Sequence, residues 1–343
     1  MMTSRELVYK TLAFENAEGR VPRQMWLLPW ADKRYQKVID AIHRDYADDI
    51  VEVPSDYKRY ARPPKTQGDW YAVGEYTDEW GCTFTNIHDG IVGEVKYPIV
   101  PANDEFWDDV SRIHVPEELL TLDKQRVNEF CAATDKFVLQ SDIARPFERM
   151  QFIRGTENLF VDLALRPPKM LSFMERMHDF YCRLMTTWAQ TDVDGLFFMD
   201  DWGTQQSLLI NPKLWVELVK PMYKDYADIA KKYGKKIFFH SDGFTLDIIP
   251  HLIDIGIDAV NLQVFCMGLD KLSRFKGQIT FWGEIDRQGI LPNGSKQEVQ
   301  KAIKLVKDTL WNNGGVIAQC EFGPGANPEN VYTVFETWTG LQP

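Results

Sequence analysis

Residues 236–242, KIFFHSD, end an apolar and aromatic run with an imidazole and a carboxylate two positions apart. A thiol, Cys320, stands in a second apolar run, GVIAQCEFG. His240, Asp242 and Cys320 together offer nitrogen, oxygen and sulfur donors, and three protein ligands with one open coordination position are typical of catalytic zinc. The alternatives are a hydrogen-bonded core histidine and a buried cysteine that acts as a small apolar residue.

Carboxylates follow two further apolar runs, in GLFFMDDWG and ITFWGEID. Crowded carboxylates raise one another's pKa, which suits acid–base catalysis. Asp200, Asp201 and Glu284 are therefore candidate catalytic groups that orient a substrate or donate a proton to a leaving oxygen. The alternative is that DDWGTQQSLLINP only caps the next helix. Asn211 fits that role, with Pro212 after it, but capping does not account for the paired carboxylates.

Several aromatic residues and one amide lie near the same run ends. Trp26, Trp30, Trp202 and Trp282 are expected to form an aromatic substrate pocket, and Gln263 is expected to hydrogen-bond a polar substituent of the substrate. The alternative for each tryptophan is core packing. The sequence contains no GxGxxG nucleotide loop and no P-loop, so nucleotide chemistry is not expected.

Eight short apolar runs alternate with helix-like segments and would position these groups. The predicted strands cover 21–28, 49–54, 136–142, 195–203, 236–242, 258–264, 279–286 and 315–323. Strands that alternate with helices imply a parallel sheet, and eight such units indicate a closed (β/α)₈ barrel. Active sites of such barrels lie at the carboxyl ends of the strands, so the polar run ends would converge at one mouth.

The intervening segments set the domain organisation. Residues 211–234 and 296–315 have apolar positions at helical spacing and predict two long helices. The stretch from about 55 to 135 is too long for one crossover helix, and its TDEWGCTFTN and GIVGEVKYPIV segments predict a β-hairpin. We interpret this stretch as an insertion, so that residues 1–343 form a single barrel domain.

Composition excludes several classes of function. The chain has 343 residues, a net charge of −11 and 44% hydrophobic residues. An acidic chain of this kind is a poor general binder of nucleic acid or anionic membranes. No apolar run is long enough to span a bilayer, and no signal peptide is visible. The five scattered cysteines form no CxxC pair, and we predict a cytoplasmic protein with reduced thiols.

The motifs DGLFFMDDWG, FFHSDG, GIDAVNLQ, FWGEID and GGVIAQCEFGPGANPENV resemble the uroporphyrinogen decarboxylase superfamily. The resemblance extends over essentially the whole chain and implies a barrel enzyme. One branch of the superfamily contains the decarboxylase of haem synthesis. The other contains zinc-dependent methyltransferases that work with a corrinoid.

The zinc motif favours the methyltransferase branch. That branch carries His-x-Cys-Gly, and here the motif reads His240-Ser241-Asp242-Gly243, with Asp in place of Cys. A second cysteine of that branch matches Cys320. The resemblance thus implies zinc held by His240, Asp242 and Cys320.

The decarboxylase branch matches less well. It usually has a histidine where Cys320 stands, and an arginine-rich signature where this chain has WLLPWADKRY, which keeps only Lys33 and Arg34. Asp56 loosely matches the essential aspartate of the decarboxylase. A metal-free decarboxylase is therefore the alternative prediction, and a barrel that binds a ligand with a decayed site is a third.

The aspartate in the zinc motif indicates the methyl donor. A carboxylate donates less electron density than a thiolate, so the zinc would be harder and better suited to polarise oxygen. We therefore predict methyl transfer from an O-methyl donor, a methoxyaromatic compound, to a corrinoid. The corrinoid is expected on a separate partner protein, because the chain shows no second domain and no Asp-x-His-x-x-Gly motif.

Overall fold

Eight parallel strands form the centre of the computed structural model, which describes residues 2–17, 19–101, 107, 110 and 113–341. The described residues contain eleven strands in all, three of them in a smaller sheet. In chain order they are β1 (Arg23–Leu27), β2 (Ile50–Glu52), β3 (Gly74–Thr77), β4 (Thr83–Asn86), β5 (Glu94–Val95), β6 (Phe137–Leu139), β7 (Gly195–Met199), β8 (Lys236–Ser241), β9 (Ala259–Leu262), β10 (Thr280–Trp282) and β11 (Val316–Phe322).

The α-helices surround these strands. They are α1 (Ser4–Leu12), α2 (Pro29–Asp45), α3 (Lys124–Ala132), α4 (Pro146–Arg154), α5 (Thr156–Leu165), α6 (Pro168–Ala189), α7 (Pro212–Leu218), α8 (Lys220–Lys232), α9 (Ile249–Ile255), α10 (Val264–Met267), α11 (Leu269–Leu272), α12 (Ile290–Asn293), α13 (Lys296–Leu310) and α14 (Pro328–Gly340). Within the described ranges, no helix has the length and apolar character that crossing a membrane would need.

The central sheet has the strand order β1-β11-β10-β9-β8-β7-β6-β2. Its two end strands approach each other where Asp49 N donates a hydrogen bond of 2.8 Å to Arg23 O. The sheet is therefore a nearly closed barrel, and the predicted (β/α)₈ fold is confirmed. All eight predicted strands are present, and each is shorter than its apolar run.

Side chains inside the barrel form a core separate from the layer between strands and helices. The inner core comprises Val8, Leu12, Ile50, Phe137, Leu139, Phe197, Phe238, Ala259, Trp282 and Ile317. Two of its members, Val8 and Leu12, come from α1. A polar site is therefore expected at the end of the barrel away from α1, where the carboxyl ends of the strands lie.

The single helix predicted over 211–234 is wrong, because the chain forms two helices that meet at Val219. Pro221 explains the break: proline has no N–H to donate and its ring clashes with the preceding helical turn, but it is tolerated in a first turn. The predicted cap is confirmed, since the Asn211 side chain accepts a hydrogen bond from Lys213 N.

The insertion between β2 and β6 carries a small antiparallel sheet of order β3-β4-β5, in which Tyr76 pairs with Phe84. The predicted hairpin is thus present. Buried Arg149 of α4 binds Asp78 of the insertion and attaches it to the barrel. The assignment of all 343 residues to one domain stays a prediction.

Candidate active site

Three donor atoms converge at the carboxyl ends of β7 and β8. His240 Nε2 lies 3.5 Å from Asp201 Oδ1 and 3.8 Å from Asp242 Oδ1. All three donor atoms lie within 4.8 Å of one another. His240 is buried in the barrel mouth, while both aspartates are partly exposed. The strand ends therefore bring together two of the predicted metal ligands and one of the predicted catalytic aspartates.

A neighbouring amide fixes the orientation of the His240 ring. Asn261 on β9 donates its amide N–H to the Trp282 carbonyl, which leaves Asn261 Oδ1 facing His240 Nδ1 at 2.6 Å. Because that oxygen only accepts, Nδ1 carries the proton and donates. Nε2 therefore faces the two aspartates, as in metal sites whose histidine is held by an outer hydrogen bond.

Charge around the ring keeps it protonated when no metal is bound. Burial lowers the pKa of His240, but the hydrogen bond to Asp201 and the charges of Asp242 and Asp201 outweigh burial and raise the pKa to about 10. Burial alone would raise the pKa of Asp201, but the bond and charge of His240 hold it below its usual value. A metal at Nε2 would therefore displace a proton.

Arg287 joins three carboxylates beside this group. Its Nη2 lies 2.7 and 2.6 Å from the two oxygens of Asp242, its Nε lies 3.0 Å from Glu284 Oε2, and its Nη1 lies 2.7 Å from Glu321 Oε1. The sequence analysis missed Arg287. The signal was a cation three residues after Glu284, in GEIDRQG, directly after a strand with a polar end.

Cys320 lies apart from the donor group. Along β11, residues 316, 318, 320 and 322 pack in the layer towards the helices, whereas Ile317 packs inside the barrel. Since strand side chains alternate between faces, Cys320 faces the helices and Glu321 faces the barrel interior. Burial also raises the pKa of the Cys320 thiol, which opposes formation of a thiolate ligand. Cys320 as a ligand stays a prediction, and Asp201 occupies the third place in the observed donor group.

The predicted catalytic carboxylates differ in their surroundings. Asp200 is fully buried, and its oxygens accept from Glu148 N at 2.9 Å and from the Tyr223 hydroxyl at 2.6 Å. Its hydrogen bonds are thus those of a structural link between α4 and α8. Glu284 lies in the site, where burial raises its pKa to about 8 although Arg287 lowers it. Glu284 is therefore suited to donate a proton near neutral pH.

The tryptophans do not all line the mouth. The half-buried Trp26 ring lies 5.3 Å from the His240 ring and 5.0 Å from Trp282. Trp282 is fully buried below them in the inner core. Trp202 does not reach the site: it is buried between barrel and helices, where it stacks on Phe147 at 3.9 Å. Of Trp26, Trp202 and Trp282, only Trp26 borders the mouth.

Buried polar atoms without partners surround the donor group. Among the described residues, Trp26 Nε1, Glu284 Oε1 and both amide atoms of Gln319 are buried and make no hydrogen bond. Such atoms are rare in folded proteins and indicate a place where a ligand, ion or water completes the bonding.

Two openings flank this region. Gln263, which was predicted to bind substrate, lines a small crevice together with Glu284 and Arg287. The volume of this crevice, about 30 Å³, admits only water-sized groups. A larger cavity of about 370 Å³ lies between the insertion and the barrel, and Arg145 is in its lining. Of these two openings, the larger one has the size of a small-molecule site.

The donor group fits a zinc ion. Tetrahedral zinc with ligands at 2.0–2.2 Å needs donor atoms about 3.3–3.6 Å apart. From His240 Nε2, Asp201 Oδ1 lies within that range at 3.5 Å and Asp242 Oδ1 slightly beyond it at 3.8 Å. One histidine and two carboxylates leave a position for substrate or water.

A second set of possible ligands lies on the outer surface between α6 and α8. His178 Nε2 is 3.5 Å from Cys182 Sγ and 2.9 Å from Asp225 Oδ2. This outer group must be separated from the barrel site in any measurement of metal content.

Comparisons with known proteins agree with this architecture. Residues 92–340, more than half of the chain, match the family model described as uroporphyrinogen decarboxylase (URO-D). No curated protein sequence matches the chain. Among solved structures, a methyltransferase from Methanosarcina mazei aligns over 100% of both chains with 12% identity and a TM-score of 0.67. At that identity the similarity shows the fold alone.

Two further structures align over part of the chain. The IOLI protein with a zinc atom covers 49% of this chain and 69% of its own, with 14% identity and a TM-score of 0.31. D-psicose 3-epimerase covers 66% of this chain and 82% of its own, with 12% identity and a TM-score of 0.37. These scores are too low to support an inference about function.

Proposed function

This chain belongs to the uroporphyrinogen decarboxylase family, and on that premise we propose that it is a zinc-dependent methyltransferase. The methyl donor is an oxygen-bound one, a methoxyaromatic compound, and the acceptor is a corrinoid on a separate protein. The observation that carries the proposal is the donor group of His240, Asp201 and Asp242 at the barrel mouth. The fold shared with a solved methyltransferase is consistent with it.

The residues of the mouth have separate roles in this reaction. His240, Asp201 and Asp242 would hold the zinc, which supplies a Lewis acid for the ether oxygen. Asn261 orients His240, and Arg287 holds the Asp242 carboxylate in place. A donor set of nitrogen and oxygen atoms without thiolate suits an oxygen substrate.

Proton transfer completes the cleavage of the ether. When the methyl group leaves, the electron pair of the carbon–oxygen bond stays on oxygen, which becomes a phenolate. Glu284, whose pKa of about 8 keeps it mostly protonated near neutral pH, would donate the proton that forms the phenol. Trp26 beside His240 provides an apolar wall that limits access of water.

The second candidate function is a decarboxylase that works without metal. The description of the matching family favours it. It would use the barrel mouth for a carboxylate substrate and release carbon dioxide. Metal dependence and the reaction product distinguish the two candidates.

Product analysis tests the proposed function. The protein is incubated with zinc, a reduced corrinoid protein and a panel of methoxyaromatics, methanol and methylamines. We expect formation of methylcobalt, seen by absorbance, and release of one phenol for each methyl group transferred. Absence of transfer from every donor, together with carbon dioxide release from a porphyrinogen, would establish the decarboxylase instead.

A further inference from the structure

The cavity between the insertion and the barrel has the character of a binding site for a single aromatic ring. Its volume of about 370 Å³ lies at the lower end of the range for small-molecule sites, about 300–1,000 Å³, and suits one substituted ring better than a tetrapyrrole. Aromatic side chains from the insertion and α6 line it, namely Tyr60, Trp70, Trp80 and Tyr181. Such side chains stack on the faces and edges of planar ligands.

The lining contains the carboxylates of Glu79 and Asp142 beside three cations, and these cations are not equally neutralised. Lys58 Nζ lies 3.1 Å from Asp142 Oδ1, and Arg149 is bound by Asp78. Arg145 differs, because its ion-pair contact is the 4.0 Å separation of Nη1 from Glu148 Oε1. Its other polar contact is a weak one, from Nη2 to Met199 Sδ at 3.3 Å. Arg145 is thus the lining cation with the least compensated charge among these three.

Arg145 also connects the cavity to the metal group. Met199, which its guanidinium contacts, is the residue of β7 that pairs with His240 of β8. The charge of Arg145 also acts on Asp201. A ligand in the cavity would therefore lie next to the carboxyl end of β7, where the donor group also lies.

From these contacts we propose that the cavity binds an aromatic carboxylate, whose ring packs among the tryptophans and tyrosines and whose carboxylate pairs with Arg145. This inference rests on the proposed function and narrows its substrate class to anionic methoxyaromatics, the methoxybenzoates. A partly buried guanidinium without a close anion gains most from such a ligand, since arginine and carboxylate form paired, charge-assisted hydrogen bonds.

Calorimetric titration without the corrinoid protein tests binding separately from turnover. The probes are 3,4-dimethoxybenzoate and its neutral counterpart, 1,2-dimethoxybenzene. We expect the carboxylate to bind about tenfold to a hundredfold more tightly, as a charge-assisted hydrogen bond implies. Arg145→Gln should abolish that preference and leave binding of the neutral compound unchanged, and Arg145→Lys should restore part of it.

Lys58→Gln is the matched control for Arg145→Gln. Lys58→Gln removes a cation from the same cavity but should weaken binding of the benzoate less than about threefold, because Asp142 already engages that charge. A preference that survives in Arg145→Gln would place the carboxylate elsewhere, for example on the metal, and would overturn the inference. If the preference behaves as expected but no methyl group is transferred, the proposed function fails and the binding site stands.

Discussion

Nη2 of Arg287 lies 2.7 and 2.6 Å from the two carboxylate oxygens of Asp242. Because both carboxylate oxygens take part, Asp242 and its guanidinium partner form a unit that a thiolate could not make. The unit also includes Glu284 and Glu321, which bind the same arginine. Arg287 thus offsets the repulsion among three carboxylates.

Removing this arginine should destabilise the metal-free protein. In Arg287→Met, we expect the free energy of unfolding to fall by about 2–4 kcal/mol, because buried carboxylates lose their counter-charge. Zinc should restore part of the loss, since a dication replaces the missing charge. Urea unfolding with chelator and with zinc measures both effects.

An exposed arginine provides the control for this loss. Arg183 pairs with Glu117 and Asp179 on the surface, so Arg183→Met should cost less than about 1 kcal/mol and respond to zinc no differently from the parent. Equal losses in free energy of unfolding in the two variants would show that Arg287 stabilises the protein no more than a surface arginine does.

Asn261 is predicted to act on the metal through His240. Asn261→Ala frees the imidazole to rotate and change tautomer, and the loss of such outer hydrogen bonds lowers metal affinity about 10- to 100-fold. Competition with a chelating dye gives the zinc affinity. Asn330→Ala is the control, because Asn330 is also buried but donates to the Leu291 and Gly294 carbonyls, which are not part of the donor group. Asn330→Ala should reduce stability without changing zinc affinity, and a similar affinity loss in both variants would rule out a specific role of Asn261.

Asp242→Cys tests whether ligand hardness sets the donor. The variant should keep zinc but transfer methyl groups from ethers about tenfold more slowly, which corresponds to about 1.4 kcal/mol of activation free energy. Initial rates with a methoxybenzoate, normalised to zinc content, measure this effect. An unchanged or faster rate would separate the choice of donor from the carboxylate.

The pH dependence of stability reports on Glu52, a half-buried carboxyl group that is not one of the proposed metal ligands. Glu52 ends β2 on the same face as Ile50, and burial raises its pKa from 4.5 to about 7. A raised carboxyl pKa means that the folded protein binds the proton more tightly, so this stability is present below pH 4.5 and is lost as pH rises towards 7. Glu52→Gln should therefore gain about 1–3 kcal/mol relative to the parent above pH 7 and little at pH 4.5.

Unfolding by urea across this pH range measures the difference. Glu75 is an exposed glutamate on β3, and Glu75→Gln should show a difference from the parent that stays flat with pH. A flat profile for Glu52→Gln as well would mean that burial of Glu52 does not govern its protonation.

The barrel could be predicted from the sequence because each strand is a short apolar run that ends in polar residues. The convergence of His240 and Asp242 follows from that pattern, since carboxyl ends of parallel strands meet at one mouth. Asp201 was predicted at the same mouth, but as a catalytic group and not as a ligand. Whether the Cys320 side chain points into the barrel or towards the helices could not be predicted. Both faces of β11 are buried, so its sequence shows no alternation that would tell the barrel interior from the helix layer.

Arg287 and Arg145 were missed for a different reason. Arg287 lies in the loop after β10, and its spacing from Glu284 in GEIDRQG was the one local signal. Its other partners, Asp242 after β8 and Glu321 in β11, are distant in sequence, and nothing local indicates those contacts. Arg145 is a candidate binding residue only because it lines a cavity between the insertion and the barrel. Both depend on contacts between segments far apart in sequence.

Zinc content of purified variants tests the metal group most directly. The measurement uses mass spectrometry of metals in a Cys182→Ser background, which removes a ligand of the outer group. We expect roughly one zinc per chain in that background, as one three-ligand site implies. His240→Ala and Asp201→Ala should lose the zinc, and Cys320→Ala should retain it. Loss of zinc from Cys320→Ala with full retention in Asp201→Ala would contradict the donor group of His240, Asp201 and Asp242.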